Sequence, residues 1–323
     1  MPNFIELCAG CGGLSKGLIY AGFTPILLND NNKDCCNTLK INHVGVNIFC
    51  GSFDELDLSQ YVDNIDLLVG GVPCQNFSTA GDRSGLVGSK GSLMLKFIEV
   101  IGTIRPKFFL IENVKGLVSH ANGNTLKHIL NLIDDIGLYD VKYKVLNAVN
   151  FEVAQKRERI IIVGSLKFLN IDYEFPLGSD NIKVLGDVIS DLTTSIGASY
   201  PEKKQQLFSL IPEGGCWINL PEDLQKSYMK NSFFSSGGKR GILRRLALDQ
   251  PSLTLLCSPS QKQTERCHPI ENRPLNIKEY ARIQSFPDEY IFTGSLTSQY
   301  KQIGNAVPVN MAKHLGESII KYF

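Results

Sequence analysis

Phe4-Ile5-Glu6-Leu7-Cys8-Ala9-Gly10-Cys11-Gly12-Gly13-Leu14 is the stretch on which the fold turns. Phe4–Cys8 reads as a buried strand, and a glycine-rich turn follows it. From about Leu14 to Ala21 the spacing is helical, with Gly22 placed to stop the helix. Glycines at such a turn permit positive φ and let a ligand approach the backbone, while the helix amides point at the same spot. Pro25–Leu28 is a second strand ending at Asn29-Asp30, about 20 residues on, where an acid can accept from both ribose hydroxyls. Gly10, Gly12, Gly13 and Asp30 together describe a pocket for an adenosine-containing cofactor. A tight structural turn accounts for the glycines equally well. No Gly-Lys-Ser/Thr follows, which disfavours a phosphate loop.

Outward from that unit the alternation continues. Asp66–Val69 reads as a strand running into Gly70-Gly71, Leu93–Ile104 as a helix, and Lys107–Ile111 as a strand. Thr125–Ile136 has helical spacing with Gly137 as its stop, and Val141–Leu146 and Ile160–Val163 read as further strands. This pattern predicts an α/β fold around a mostly parallel sheet. From about Gly178, Pro, Gly, Ser and polar residues dominate and the periodicity fades. We expect one domain from residues 1–180 and 276–323, and a smaller irregular domain from 181–275. Helical order returns at Ile277–Ser285 and Val309–Tyr322.

The chain has 323 residues, 43% of them hydrophobic, enough for one large domain or two unequal ones. No apolar run reaches the ~18 residues of a membrane span. Met1-Pro2-Asn3-Phe4 offers no basic region and no cleavable apolar segment, so secretion is not expected. Nine cysteines without a signal peptide read as free thiols rather than as a disulfide framework. A reducing, intracellular setting is expected. Net charge is only +1, yet residues 201–275 carry 11 Lys+Arg against 7 Asp+Glu, leaving the rest at −3. A basic segment beside a slightly acidic body suits a bound polyanion, and a solvated charged surface gives the same count.

A second candidate site follows the strand that ends at Gly70-Gly71. Val72-Pro73-Cys74-Gln75-Asn76-Phe77-Ser78 would project Cys74 from a loop at the C-terminal edge of a parallel sheet, where such folds bind ligands. A thiolate there can attack an electron-poor ring carbon, although a single cysteine is more often simply buried. Glu112-Asn113-Val114 closes another strand at the same edge, so its carboxyl can serve a ring nitrogen, or stand as a surface acid or helix cap. Gln155-Lys156-Arg157-Glu158-Arg159 enters a further strand. Its guanidiniums can grip a carbonyl oxygen or a phosphate, or belong to a charged loop. Cys8 and Cys11 have C-x-x-C spacing, but no second pair lies at a suitable distance, and no metal is expected.

In order, these segments resemble the cytosine-5 DNA methyltransferase family, and the likeness covers nearly the whole chain. Leu7–Gly13 is similar to its cofactor loop, Pro73-Cys74-Gln75 and Glu112-Asn113-Val114 to its two catalytic signatures, and Gln155 to Arg159 to its arginine motif. Lys90-Gly91-Ser92-Leu93 resembles the helix start between the signatures. Arg273-Pro274-Leu275 through Gln284-Ser285-Phe286-Pro287 resembles the motif after the recognition region, and Gly304-Asn305-Ala306-Val307-Pro308 the closing motif.

The resemblance implies a Rossmann-like, S-adenosylmethionine-dependent fold with a target-recognition domain at 181–275. It implies Cys74, Glu112, Arg157 and Arg159 as catalytic residues. Leu7, Cys8, Gly10, Gly12, Gly13, Leu14, Asp30, Asn31, Ser52, Phe53, Pro73, Asn305 and Ala306 would meet the cofactor. Gln75, Ser78, Lys239, Arg240, Arg244 and Arg245 would meet double-stranded DNA. It further implies base flipping, attack of Cys74 on carbon 6, a monomer, pairing with a restriction endonuclease, and a cytoplasmic place: a bacterial cytoplasm or, for a viral protein, the infected host cell. The chain departs from the family where Cys8 replaces an aromatic residue, Asn31 a bulky apolar one, and Ser52 an acid, with Asp54 nearby to compensate. Methylation of transfer RNA, and an inactive relative that only binds DNA, are the alternatives.

Overall fold

The computed structural model describes residues 1–72, 91–192, 195–234 and 240–323. Pro73, Cys74, Gln75, Ser78 and Lys239 lie outside the described residues. In chain order the elements are β1 (Asn3–Leu7), α1 (Gly13–Tyr20), β2 (Thr24–Asp30), α2 (Lys33–Asn42), β3 (Asn47–Cys50), β4 (Leu67–Gly70), α3 (Gly91–Ile104), β5 (Phe108–Val114), α4 (Asn124–Asp135), β6 (Tyr139–Asn147), β7 (Gln155–Lys156), β8 (Glu158–Leu166), α5 (Gly186–Ile189), α6 (Glu202–Ser209), α7 (Glu222–Met229), β9 (Ser252–Leu253), α8 (Ile277–Ile283), α9 (Leu296–Asn305) and α10 (Val309–Ile320).

Contacts divide the chain into two compact units. The first comprises Met1–Phe151, Glu158–Ser179 and Val307–Phe323, and the second Glu152–Arg157 and Asp180–Ala306. Residues 276–306, expected with the main domain, fall by contacts in the second unit.

The first unit is built on a seven-stranded sheet of order β3-β2-β1-β4-β5-β8-β6. β1 to β5 are parallel, and β8 runs antiparallel to both β5 and β6. The reversal has a local cause. β6 and β8 are paired from Asn147↔Glu158 outward, so the chain turns back beside the strand it has just left. Leu67–Gly70 is buried on both faces, as expected for a continuous apolar run in a parallel sheet.

Ile5, Leu7, Leu68, Phe109, Ile111, Ile160 and Ile162 form one side of the core, against Phe97 and Ile101 of α3 and Ile129 and Ile133 of α4. α1 and α10 pack closely on each other. A Cβ on Gly17 would stand 2.4 Å from Val309 O and 2.4 Å from Ala312 Cβ.

Two elements of this unit escape a periodicity reading. α2 is polar on its surface, and its start is set by Asn32, whose side chain accepts from the amides of Asp34 and Cys35. β3 is short, and none of its residues is buried.

The second unit is less irregular than expected. α6 and α7 each follow a proline, Pro201 and Pro221, with Glu202 and Glu222 in their first turns. Proline followed by an acid is a helix-start signal. Tyr200, Phe208, Ile211, Leu220, Met229, Ile242, Leu243 and Cys267 form its core. Among the described residues, no helix is long and apolar enough to cross a membrane.

Candidate active site

β1 lies between β2 and β4, so the chain departs from it towards both edges of the sheet. A crevice opens at the C-terminal ends of strands wherever the order reverses in this way. The glycine turn stands there. Gly10 and Gly12 have φ of 57° and 86°, and Cys8 shares the left-handed region at 57°. Gly12 opens α1 with no side-chain cap, and in the first turn Ser15 hydrogen-bonds the buried Glu6 carboxyl with both its backbone and its side chain.

Asp30 braces the turn. Its Oδ2 accepts from Gly10 N and its Oδ1 from Asn32 N, each at 2.8 Å. The Asn31 amide also hydrogen-bonds this carboxylate, whose acceptor capacity still leaves room for a hydroxyl. Burial pushes the Asp30 carboxyl up, against the pull of these amides. A Cβ on Gly10 would meet no atom within 4 Å, so the outer face of the turn is open. Amide donors, an acid and open space suit an adenosine-containing group.

The remaining cofactor candidates of this unit divide by exposure. The Leu7, Leu14 and Phe53 side chains are buried in the core, so those positions offer a ligand only backbone. Gly13 is the first residue of α1, and Asn31 is exposed just beyond Asp30. Ser52 Oγ donates to Asp54 Oδ2 at 3.0 Å, and Asp54 pairs with Lys96. An acid therefore does stand beside Ser52. Burial pushes the Cys8 thiol up to about 12 and holds Cys11 well above its ordinary range. Neither offers a thiolate at neutral pH. Among the described residues, no group of three or more His, Cys, Asp or Glu is placed to hold a metal ion.

At the end of β5 the two catalytic candidates of this unit meet. Arg159 Nε lies 2.9 Å from Glu112 Oε1, and both side chains are largely shielded from solvent. Arg159 Nη1 also donates to Glu158 O at 2.8 Å, and Lys115 pairs with the Glu158 carboxylate. Asn113 Nδ2 donates to Val72 O at 2.8 Å, which ties down the chain immediately before Pro73. A Cβ on Gly71 would stand 3.6 Å from Glu112 Oε2 and 3.8 Å from Cys8 O. The bare backbone at Gly71 thus lies between the acid and the glycine turn.

In the second unit the structure gives Arg157 a different place from Arg159. It is only 1% exposed, and its Nη1 and Nη2 donate to Leu255 O and Asn305 O, each at 3.3 Å. Its guanidinium is bonded to main chain, whereas the resemblance led us to expect a catalytic contact. Asn305 ends α9 and accepts from Cys257 Sγ at 3.0 Å, while Ala306 is buried.

Sequence reasoning missed an amide pair within the second unit. Leu255 N donates to Gln155 Oε1, Gln155 Nε2 to Gln284 Oε1, and Gln284 Nε2 to Ile303 O and Ala306 O. The signal was present, since Gln155 and Gln284 both lie inside quoted motifs.

The expected DNA contacts also separate. Arg240 is exposed and Arg244 half-buried. Arg245 is 3% exposed and donates to Ile211 O, His268 O, Pro269 O, Glu271 O, Phe208 O and Asn272 Oδ1. A guanidinium with its donors so occupied has none left for DNA, so Arg245 is corrected from a DNA contact to an internal clamp.

A mostly parallel seven-stranded sheet, with its glycine turn and acid at the switch point, places the first unit among the doubly wound α/β folds that bind nucleotide-like cofactors. The fold is shared with a DNA modification methyltransferase encoded within an E. coli prophage, at TM-score 0.74 and 23% identity, covering 99% of each chain. It is shared too with a Spodoptera frugiperda DNMT2 mutant, at TM-score 0.72 and 15% identity, covering 99% of this chain and 100% of that one.

The family model for C-5 cytosine-specific DNA methylase matches residues 2–321, and the chain belongs to that family. It is 46% identical to the type II methyltransferase M.Eco47II of Escherichia coli, across 98% of this chain and 78% of the relative. It is 45% identical to M.Sau96I of Staphylococcus aureus, across 99% and 76%. The reaction is methylation of cytosine in DNA at carbon 5.

Proposed function

We propose that the protein transfers the methyl group of S-adenosylmethionine to a cytosine flipped out of a specific double-stranded DNA sequence, with Cys74 as covalent nucleophile. The Arg159–Glu112 pair at the end of β5, with the bare Gly71 backbone between Glu112 and the glycine turn, carries the reading.

Gly10, Gly12, Asp30 and the Ser52–Phe53 loop would hold the adenosine end of the cofactor, and Asn305 and Ala306 are proposed to contact it. S-adenosylmethionine supplies the electrophilic methyl group. The Cys74 thiolate forms a bond to carbon 6, and the displaced electron pair moves towards ring nitrogen 3. Glu112, in its protonated form, gives its proton to nitrogen 3 and takes it back when the ring is restored, and Arg159, held beside Glu112 and by Glu158 O, grips the carbonyl oxygen at position 2. Carbon 5 becomes nucleophilic and takes the methyl group, the sulfonium S–CH3 bond breaking to leave S-adenosylhomocysteine. The carbon-5 proton then passes to solvent, and its electron pair reforms the carbon 5–carbon 6 double bond as the bond to Cys74 breaks and the thiolate leaves.

Gln75, Ser78, Lys239, Arg240 and Arg244 are proposed DNA contacts, within or beside a target-recognition region at 181–275. The type II names of the relatives support a place beside a restriction endonuclease that cuts the unmethylated sequence.

Bisulfite sequencing of DNA from cells expressing the protein, with Cys74→Ser as control, tests this. Methylation at one recurrent sequence with the wild type and none with Cys74→Ser is expected. Methylation by the variant, with DNA binding intact, would refute covalent catalysis by Cys74.

A further inference from the structure

We propose that Asn29 is a positioning residue for cofactor binding, fixing the Gly51–Phe53 loop at a set distance from the glycine turn. This rests on the reading of Gly10, Asp30 and Ser52 as the adenosine site.

β2 and β3 are in register at Asn29↔Phe49 and Asp30↔Cys50, where β3 ends. Beyond Cys50 the ladder guides the chain only through Gly51 N, which donates to Asp30 O at 3.1 Å. The Asn29 side chain takes over from there. It is buried, and its Nδ2 donates to Phe49 O at 3.1 Å and to Gly51 O at 2.9 Å. The Asn29 main chain faces the other way, its carbonyl accepting from Ala9 N at 2.7 Å. One residue thus joins the turn after β1 to the loop after β3, beside the Asp30 that braces Gly10.

The chemistry selects asparagine. The position needs two N–H donors on a short arm, aimed at two acceptors with no donors of their own. A carboxylate of the same shape would set oxygen against both carbonyls, and an alkyl side chain would leave both without this donor. Glutamine is one methylene too long for the buried space.

The test measures S-adenosylhomocysteine binding by calorimetry, together with KM and kcat, for Asn29→Asp, Asn29→Ser and Asp30→Ala. Asn29→Ser removes the arm without burying a charge, so it covers the case in which Asn29→Asp does not fold. The expected result is a loss of about 10-fold or more in cofactor affinity with a matching rise in the cofactor KM, while kcat and the KM for DNA stay within about 3-fold. Wild-type affinity in the Asn29 variants with loss in Asp30→Ala would overturn the inference and leave the cofactor site standing. Wild-type affinity in all three would overturn the cofactor site and the inference with it. A parallel rise in both KM values with loss of cooperative unfolding would reduce Asn29 to a merely structural role.

Discussion

Arg159 Nε lies 2.9 Å from Glu112 Oε1, on adjacent antiparallel strands where Arg159 is the register partner of Val114. The antiparallel reversal at β8 brings a base from one strand end against an acid from another. Because the pair is shielded, removing one partner leaves a charge buried alone, which costs several kcal/mol. Glu112→Gln keeps the shape and loses the charge. Its kcat should fall about 100-fold or more, with S-adenosylhomocysteine affinity unchanged. Steady-state turnover against calorimetric binding checks this, and a kcat within a few-fold of wild type would remove Glu112 from the chemistry.

Gly17→Ala should destabilise the first unit by about 3 kcal/mol. The added methyl would meet Val309 O at 2.4 Å and Lys313 N at 2.6 Å, both main chain, which cannot rotate away. Urea unfolding measures the loss. A variant as stable as wild type would mean that α1 and α10 do not pack as described.

The basic residues 240, 244 and 245 should behave as two classes. Arg240→Ala and Arg244→Ala should each lower the slope of log affinity against log salt by about 1, with little change in melting temperature. Arg245→Ala should instead cost about 3 kcal/mol or more, because it strips a buried clamp from its acceptor carbonyls. DNA titrations at several salt concentrations, beside thermal melts, separate the classes. A reduced slope with unchanged stability in Arg245→Ala would return that residue to the DNA surface.

Burial, reinforced by the nearby Asp30 and Glu112 charges, pushes the Glu6 carboxyl up to about 8, although hydrogen bonds from Ser15 pull it down. The folded protein therefore binds a proton that the unfolded chain releases near the ordinary value of 4.5. This group's contribution to stability is complete below pH 4.5 and falls as pH rises towards 8. Glu6→Gln should remove that slope. It should raise the melting temperature of the cofactor-free protein at pH 8 and change it little at pH 5. Equal effects at both pH values would show that Glu6 is not held protonated.

The legible parts of the fold were those in which burial is written into a short run of residues. β4 and β5 are apolar throughout, and the glycine turn announces its own backbone conformation. The direction of β8 was hidden because antiparallel and parallel strands have the same composition. α2 was hidden behind a polar surface, and its Asn32 cap is a single-residue signal.

The site divides in the same way. Motif spacing brought Glu112 and Arg159 into view together. It also grouped Arg157 with Arg159 and Arg245 with Arg244, pairs of like chemistry whose members differ only in what the tertiary fold lays over them. Asn29, Gln155 and Gln284 act through the main chain of residues far along the sequence, and no local pattern reports such bonds.

The packing of α10 on α1 has a consequence for synthesis. The helix that follows the glycine turn leaves the ribosome well before its partner, since α1 and α10 stand far apart in the sequence. Until residues 309–320 emerge, Gly17 faces nothing, and the first unit lacks one wall. A growing chain therefore holds this unit incomplete until α10 has emerged. A message cut short before Val309 would yield a protein carrying every motif of the reaction but without the helix that seats the first of them.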